Sequence, residues 1–394
     1  MRIALIADTF PPLRTSGAVQ LRDLSREFVQ QGHQLTVMLP CSELTVPWRI
    51  DQMDGVEVLR LRSPRTKDIG YIRRTLAELL MPFFMRYNLN KSPLSHTRWD
   101  GVVWYSPSIF HGPLVRLLKK TSGCKAYLII RDIFPEWAVD MGLMGRGLPY
   151  RFFKAVANYQ YSMANVIGVQ TPGNLGYFQS WVNKKPGNTL EVLNNWLGAP
   201  TRLPCPIRLN DTPLAGRTLF VYAGNMGIAQ GMDILLELAD QMKSRKDVGF
   251  VFVGRGSDAN RLKKKAKSLS NTLFFDEIHP DEIPDLYAQC HVGMVALDPR
   301  HKSHNIPGKF LTYMQCGLPV LANINAGNDL AALIRDEKVG QVCETNKLGD
   351  LLHQARTLIE DMESEPNLQT RCTSLFQRTF SAPQAVQQVV AALR

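Results

Sequence analysis

Short apolar runs of strand length recur along this chain, each followed by apolar residues at helical spacing. That alternation restricts the fold more than any other feature. The first run is Arg2-Ile3-Ala4-Leu5-Ile6-Ala7. After a loop at 9–17, residues 19–31 carry Leu21, Leu24 and Phe28 at three- and four-residue steps, which places them on one face of a helix. Gly32 and His33 end that helix, and 35–39 is the next strand. Further strand-length runs lie at 56–61, 101–105, 126–130, 166–170 and 190–193. Strands alternating with helices predict a parallel sheet covered on both faces.

A second alternation begins at Thr218. The run 219–223 ends in Gly224-Asn225-Met226-Gly227, a helix is predicted over 234–242, and 249–253 ends in Gly254-Arg255-Gly256. The segments 273–275, 292–297 and 319–322 complete the set. Near the end, Val386, Val389, Val390 and Leu393 share one helical face. Between the two series, residues 194–213 hold Pro200, Pro204, Pro206 and Pro213 with little periodicity, as a linker would. A chain of 394 residues exceeds one ordinary core. The reading is α/β: two Rossmann-like domains facing a cleft, 1–198 joined by a terminal helix at 380–394, and 199–379.

No uncharged apolar stretch is long enough to span a bilayer. Asp8 interrupts the first run and no small-x-small cleavage site follows, so 2–7 reads as a strand rather than a leader, and a cytoplasmic protein is expected. The seven cysteines are scattered, without a Cys-x-x-Cys pair, and suit buried reduced thiols. Residues 1–200 hold 24 Lys/Arg against 14 Asp/Glu, whereas the rest of the chain is nearly balanced. The basic half could attract nucleic acid, anionic lipid or a phosphorylated substrate, or be no more than a soluble surface. No nucleic-acid-reading motif is present.

In open parallel sheets, ligands bind beyond the carboxyl ends of the strands. Ser16 and Gly17 follow the first strand, where a glycine lets backbone approach phosphate or simply makes a turn. The dinucleotide pattern Gly-x-Gly-x-x-Gly is absent there. Gly224, Asn225, Gly227 and Gln230 form a loop rich in glycine and amide groups. Arg255 follows the next strand and can grip phosphate through its guanidinium. In Pro307-Gly308-Lys309, a helix start supplies free N–H groups with a lysine one residue behind the glycine. Asp132 and Glu136, after 126–130, are carboxylates at a strand end, where a group for acid–base work can stand. Alternatively, Asp132 caps a helix or pairs with Arg131. His111 is a weaker candidate for such a group, or a loop histidine.

These motifs together resemble the retaining glycosyltransferases of the GT-B class, family four, and within it the N-acetyl-fucosamine transferases of O-antigen and capsule assembly. The resemblance rests on Pro11-Pro12 with Ser16-Gly17 and Gly32-His33, on residues 132–136, on Tyr222 to Gly227, and on Pro307-Gly308-Lys309 through Gly317-Leu318-Pro319. It implies a UDP-sugar donor bound mainly by the second domain, near Gly224–Gly227, Arg255, Glu277 and Ile278. Gly308 and Lys309 would meet the pyrophosphate, and Gly17 would approach it from the other wall. It also implies a polyprenyl-diphosphate-linked or saccharide acceptor held by the first domain. The chain departs from the family pattern in two places. His304 and Thr312 stand where many members carry paired glutamates, and Asn225 and Gln230 stand where many carry an arginine and a lysine. Arg255 and Lys309 would then supply the positive charge for a leaving diphosphate. No Asp-x-Asp motif ends a strand, in keeping with a metal-independent site that needs no cofactor.

Basic residues from Arg60 to Lys91 crowd one region, with Leu76, Leu79, Leu80, Phe83 and Phe84 interleaved. The segment 69–87 suits a peripheral anionic membrane surface or an ordinary amphipathic helix packed on the sheet. Two other functions remain open: a UDP-N-acetylglucosamine 2-epimerase-like enzyme, and a catalytically inactive scaffold on the same fold.

Overall fold

The computed structural model describes residues 1–13, 15–184, 186–200, 203–227, 230–298 and 306–394. It divides into two compact units, residues 1–198 with 382–394, and residues 199–381.

Unit 1 is built in the order β1 (Arg2–Ile6), α1 (Ser16–Gln30), β2 (Gln34–Cys41), β3 (Trp48–Met53), β4 (Val56–Arg62), α2 (Tyr71–Leu89), β5 (Gly101–Tyr105), α3 (Gly112–Ser122), β6 (Lys125–Ile130), α4 (Glu136–Asp140), α5 (Leu148–Ser162), β7 (Val166–Val169), α6 (Gln179–Val182) and β8 (Thr189–Val192). Its sheet runs β3-β4-β2-β1-β5-β6-β7-β8. All neighbours are parallel except β3 and β4. The alternation of side chains along each strand builds two cores. Ala4, Ile6, Val102, Trp104, Leu128, Ile130, Ile167 and Val169 pack with α2, α3 and α5 residues such as Met81, Leu114 and Ala157. Ile3, Leu5, Val103, Tyr105 and Ile129 pack on the other face with Leu21, Leu24 and Phe28 of α1.

Unit 2 follows as β9 (Thr218–Ala223), α7 (Asp233–Gln241), β10 (Val248–Val253), α8 (Ala259–Lys265), β11 (Thr272–Phe275), α9 (Ile283–Tyr287), β12 (Val292–Ala296), α10 (Gly308–Gln315), β13 (Val320–Asn323), α11 (Asp329–Glu337), β14 (Gly340–Cys343), α12 (Leu348–Ser364) and α13 (Leu368–Leu375). Its parallel sheet has the order β11-β10-β9-β12-β13-β14. Helix α14 (Ala382–Leu393) then returns to unit 1 and buries Val386, Val389, Val390 and Leu393 in the α1-side core.

Three sequence readings differ from the structure. Strand β3 was not predicted, because its residues are half-buried or exposed and lack an apolar run. Strand β14 was also missed; it is four residues long and opens on Gly340. The proline-rich stretch at 194–213 is not a free linker. Asn195 and Trp196 bond to Gln20 in unit 1 (3.0 and 2.8 Å). Leu203, Cys205 and Leu209 donate backbone N–H groups to Asp281, Asp285 and Gln289 of unit 2. Within this stretch the chain passes between the units at 198–199, and it passes back at 381–382.

Candidate functional site

A doubly wound sheet opens a crevice where its strand order reverses. In unit 2 that reversal lies between β9 and β12, so the loop after β9 and the segment leading into α10 border it. Helix α10 is fixed there by Tyr313, whose hydroxyl lies 3.1 Å from the carbonyls of both Val221 and Met294. The helix comes so close to β12 that a Cβ on Gly293 would stand 2.4 Å from the Tyr313 ring. Pro307 precedes the first turn with extended backbone, and no side chain caps the helix.

Lys309 is therefore delivered to the crevice. Its Nζ sits 3.6 Å from the centroid of the Tyr222 ring, within cation–π range. The Tyr222 hydroxyl in turn donates to the Asn225 carbonyl at 2.7 Å. Among the described residues no carboxylate pairs with Lys309. Burial of the ammonium without a counter-charge pushes its pKa down to about 7. A Cβ on Gly224 would lie 3.8 Å from the same nitrogen, so the β9 loop and α10 converge on one point.

The other predicted donor residues divide. Gly224, Asn225, Gly227 and Gln230 do form one loop, but its amides are partly spent on it. The Gln230 Oε1 accepts from the Gly227 N–H at 2.9 Å and from the Asn225 Nδ2 at 3.3 Å. Arg255 and Glu277 are brought together, as an exposed ion pair of 2.9 Å. Such a pair is weakly held, yet it means that Arg255 does not present a lone positive charge. Ile278 is half-buried in the loop after β11. The Thr312 hydroxyl donates to the Gly308 carbonyl within α10 at 3.3 Å. His304 lies outside the described residues. Gly254 holds the two loops together: its φ is +144°, and a Cβ there would stand 2.0 Å from the Gly224 carbonyl oxygen.

In unit 1, Thr15 caps α1 by accepting from the Ala18 N–H at 3.3 Å. Gly17 follows Ser16 with room for no side chain, since a Cβ would stand 2.9 Å from the Arg131 Nη1. Arg131 is the residue that sequence reasoning missed here. It donates to Ser16 Oγ (2.5 Å), Tyr105 Oη (3.2 Å) and Gln20 Oε1 (3.3 Å). Its partners lie 26 to 115 residues away, beyond any local pattern. Glu136 pairs with Lys154 and accepts from the Tyr150 hydroxyl at 3.5 Å, both through Oε1. Among the described residues Asp132 carries no such partner; burial raises its pKa, and the neighbouring Arg131 charge opposes that rise. His111 is fully buried at the start of α3 rather than in an open loop. Among the described residues, no group of three or more His, Cys, Asp or Glu is placed to hold a metal, and no helix is long and apolar enough to cross a membrane.

Comparison with known proteins bears on both units. Residues 217–361 match the family described as glycosyl transferases group 1. The chain is 24% identical over 319 residues to the probable glycosyltransferase WbjE of Pseudomonas aeruginosa, covering 79% of this chain and 78% of that protein. It is also 24% identical, over 277 residues, to the putative colanic acid biosynthesis glycosyl transferase WcaI of Escherichia coli K12, covering 64% and 62%. Among solved structures, Anabaena Alr3699/HepE in complex with UDP superposes with a TM-score of 0.66 at 15% identity, across 100% of this chain and 99% of that one. Residues 217–361 are therefore similar to a group 1 glycosyl transferase domain, and the chain has the fold of the GT-B glycosyltransferases.

Proposed function

We propose that the chain is a retaining glycosyltransferase that moves a sugar from a UDP-sugar to a lipid-linked or saccharide acceptor in bacterial surface polysaccharide synthesis. The donor sugar in this reading is an N-acetylated deoxyhexose such as N-acetyl-L-fucosamine. One observation carries the proposal. Lys309 is a cation without a counter-charge among the described residues, seated on an aromatic ring beside an uncapped helix start at the strand-order reversal of unit 2. That arrangement suits a leaving diphosphate. As the bond from the anomeric carbon to the phosphate oxygen breaks, negative charge grows where Lys309 and the first N–H groups of α10 can meet it. The group 1 match over 217–361 and the UDP held by the structural neighbour support the donor class. The name of WcaI supports a role in polysaccharide synthesis. The choice of sugar rests on the resemblance at 132–136 and 222–227. Because a cation and a helix terminus take the charge, this reading requires no metal.

The test is incubation with a panel of UDP-sugars and a polyprenyl-diphosphate-linked sugar, with and without a chelator. Mass spectrometry is expected to show one sugar added and UDP released at a rate the chelator leaves unchanged. NMR is expected to show the donor's anomeric configuration in the product. An inverted product would refute retention, and failure to bind UDP in calorimetry would remove the donor reading altogether.

The acceptor class brings in α2. That helix buries Ala77, Met81, Met85 and Leu89, yet it leaves Tyr71 and Ile72 more than four-fifths exposed and Leu76, Phe83 and Tyr87 more than half exposed. Exposed Arg73 and Arg86 lie among them. An apolar face fringed with cations matches an anionic bilayer. Salt-sensitive sedimentation with phosphatidylglycerol liposomes is the expected result. Arg73→Gln with Arg86→Gln should weaken it roughly thirtyfold, at about 1 kcal/mol per basic residue. No sedimentation by the wild-type chain would end this part of the proposal.

A further inference from the structure

An ammonium withdrawn from water needs an attractive partner, or it gives up its proton. At Lys309 the partner among the described residues is a ring. The Nζ lies 3.6 Å from the centroid of Tyr222, well inside the range over which an aromatic face attracts a cation. Tyr222 is fully buried near the carboxyl end of β9, and its surroundings fix it in place. Its hydroxyl donates to the Asn225 carbonyl at 2.7 Å, so the ring cannot swing aside without releasing the start of the β9 loop. The preceding carbonyl, that of Val221, lies 3.1 Å from the Tyr313 hydroxyl. Tyr313 follows Lys309 by one helical turn, so both side chains leave α10 on the same side. One turn of α10 is thus pinned to the backbone at 221, and the turn before it meets the ring at 222. Tyr287 of α9 braces Tyr313, with ring centroids 4.9 Å apart. Gly224 keeps the place open. A Cβ there would lie 3.7 Å from the Lys309 Cε and 3.8 Å from its Nζ, and a longer side chain would compete with the ammonium.

A ring does here what a carboxylate could not. A carboxylate would hold the ammonium but repel an arriving phosphate, and the pair would have to break on binding. Arg255 illustrates that case, tied as it is to Glu277. An aromatic face attracts the cation through its quadrupole and carries no net charge. The titratable groups on the elements around α10 do not take over this task. Burial pushes the phenols of Tyr222, Tyr287 and Tyr313 above their ordinary pKa range, so they stay neutral. Burial likewise pushes the Cys372 thiol of α13 up to about 12. Arg371 and Arg378, in the segment behind α10, are paired with Glu365 and Glu337. Asp298, after β12, packs against Gly231 at the other end of the β9 loop.

We propose that Tyr222 is the positioning residue of this site. Its ring holds the Lys309 ammonium in place before a phosphate arrives, and its hydroxyl holds the loop at Asn225 to the same point. The inference deepens the donor reading and rests on it for the identity of the ligand, though not for the hold of the ring on the lysine.

Fluorinated rings at position 222 of the full chain test it, because fluorine drains negative potential from the ring face and changes its size little. Tyr222→Phe is the starting point, since it keeps the ring and gives up only the hydroxyl. Phenylalanines with one, two and three ring fluorines follow. In chains carrying isotope-labelled lysine and no ligand, NMR reads the ionisation of Lys309, whose resonance is the one that Lys309→Met lacks. Tyr222→Phe should titrate where wild type does, near 7. Each fluorine should move the titration to lower pH, by about tenfold in ionisation constant over the series. UDP affinity just above neutral pH, measured by calorimetry, should fall in step by about tenfold as the protonated fraction drops. A ring that only fills space would leave the titration fixed. That result, a move to higher pH, or a UDP affinity indifferent to a moving titration overturns the proposal. If the titration moves as expected and no chain binds UDP, the donor reading fails and the hold of the ring on Lys309 stands.

Discussion

Lys309→Ala should weaken UDP binding by about a hundredfold, because removing one partner of a desolvated charge pair costs roughly 3 kcal/mol. The side chain has no competing carboxylate among the described residues, so the variant loses contact with the ligand and little else. Lys309→Met should give nearly the same loss while keeping the packing over Tyr222. Wild-type binding should also depend on pH in a specific sense. The ammonium pKa lies near 7 in the free chain, and a bound diphosphate must raise it. Binding therefore takes up a proton when the pH stands above the free value. Affinity should fall from pH 7.5 to 9, by at most about tenfold per unit, and this slope should vanish in both variants. Calorimetry in buffers of different ionisation enthalpy reads the proton directly. A wild-type affinity that is flat with pH, or a Lys309→Ala affinity within twofold of wild type, would contradict the assignment.

Gly254→Ala should be the most damaging small substitution in unit 2. The residue is held at φ +144°, and the new methyl carbon would stand 2.0 Å from the Gly224 carbonyl oxygen. Neither the backbone conformation nor the neighbour can yield cheaply, and a cost of about 3 kcal/mol is expected. For a unit of this size that lowers the melting temperature by roughly 6–12 °C. Since Gly224 borders the Lys309 crevice, any folded fraction should bind UDP poorly as well. Gly308→Ala is the control. It stands at the same crevice but has open space around it and no positive φ, so its melting temperature should stay within about 2 °C of wild type. Equal melting temperatures for wild type and Gly254→Ala would show that the loops are not as close as described.

The fold was largely legible because apolar runs and helical spacing are local properties. Strands β1, β2, β9 and β10 announce themselves by largely apolar runs buried on both faces. Strand β3 does not, since one-sided edge strands carry half the signal. The Lys309 turn was legible for the same local reason, as proline, glycine and lysine are adjacent. What Lys309 rests on was not, because Tyr222 is far away in the chain and a tyrosine in an apolar run looks like any core residue. The same limit explains Glu136 and Arg255. Each was read as an open charge, and each meets an opposite charge from a later segment, Lys154 and Glu277 respectively.

Helix α14 fills the α1-side core of a unit whose other elements end before residue 199. Unit 1 is thus interrupted by the whole of unit 2 and is not whole until residues 382–394 have been made. During synthesis, unit 2 has all of its strands before unit 1 has its last layer. In that interval the α1-side face waits uncovered where Val386, Val389 and Leu393 will seat, and the nascent chain depends on holding that half-built sheet apart from its neighbours.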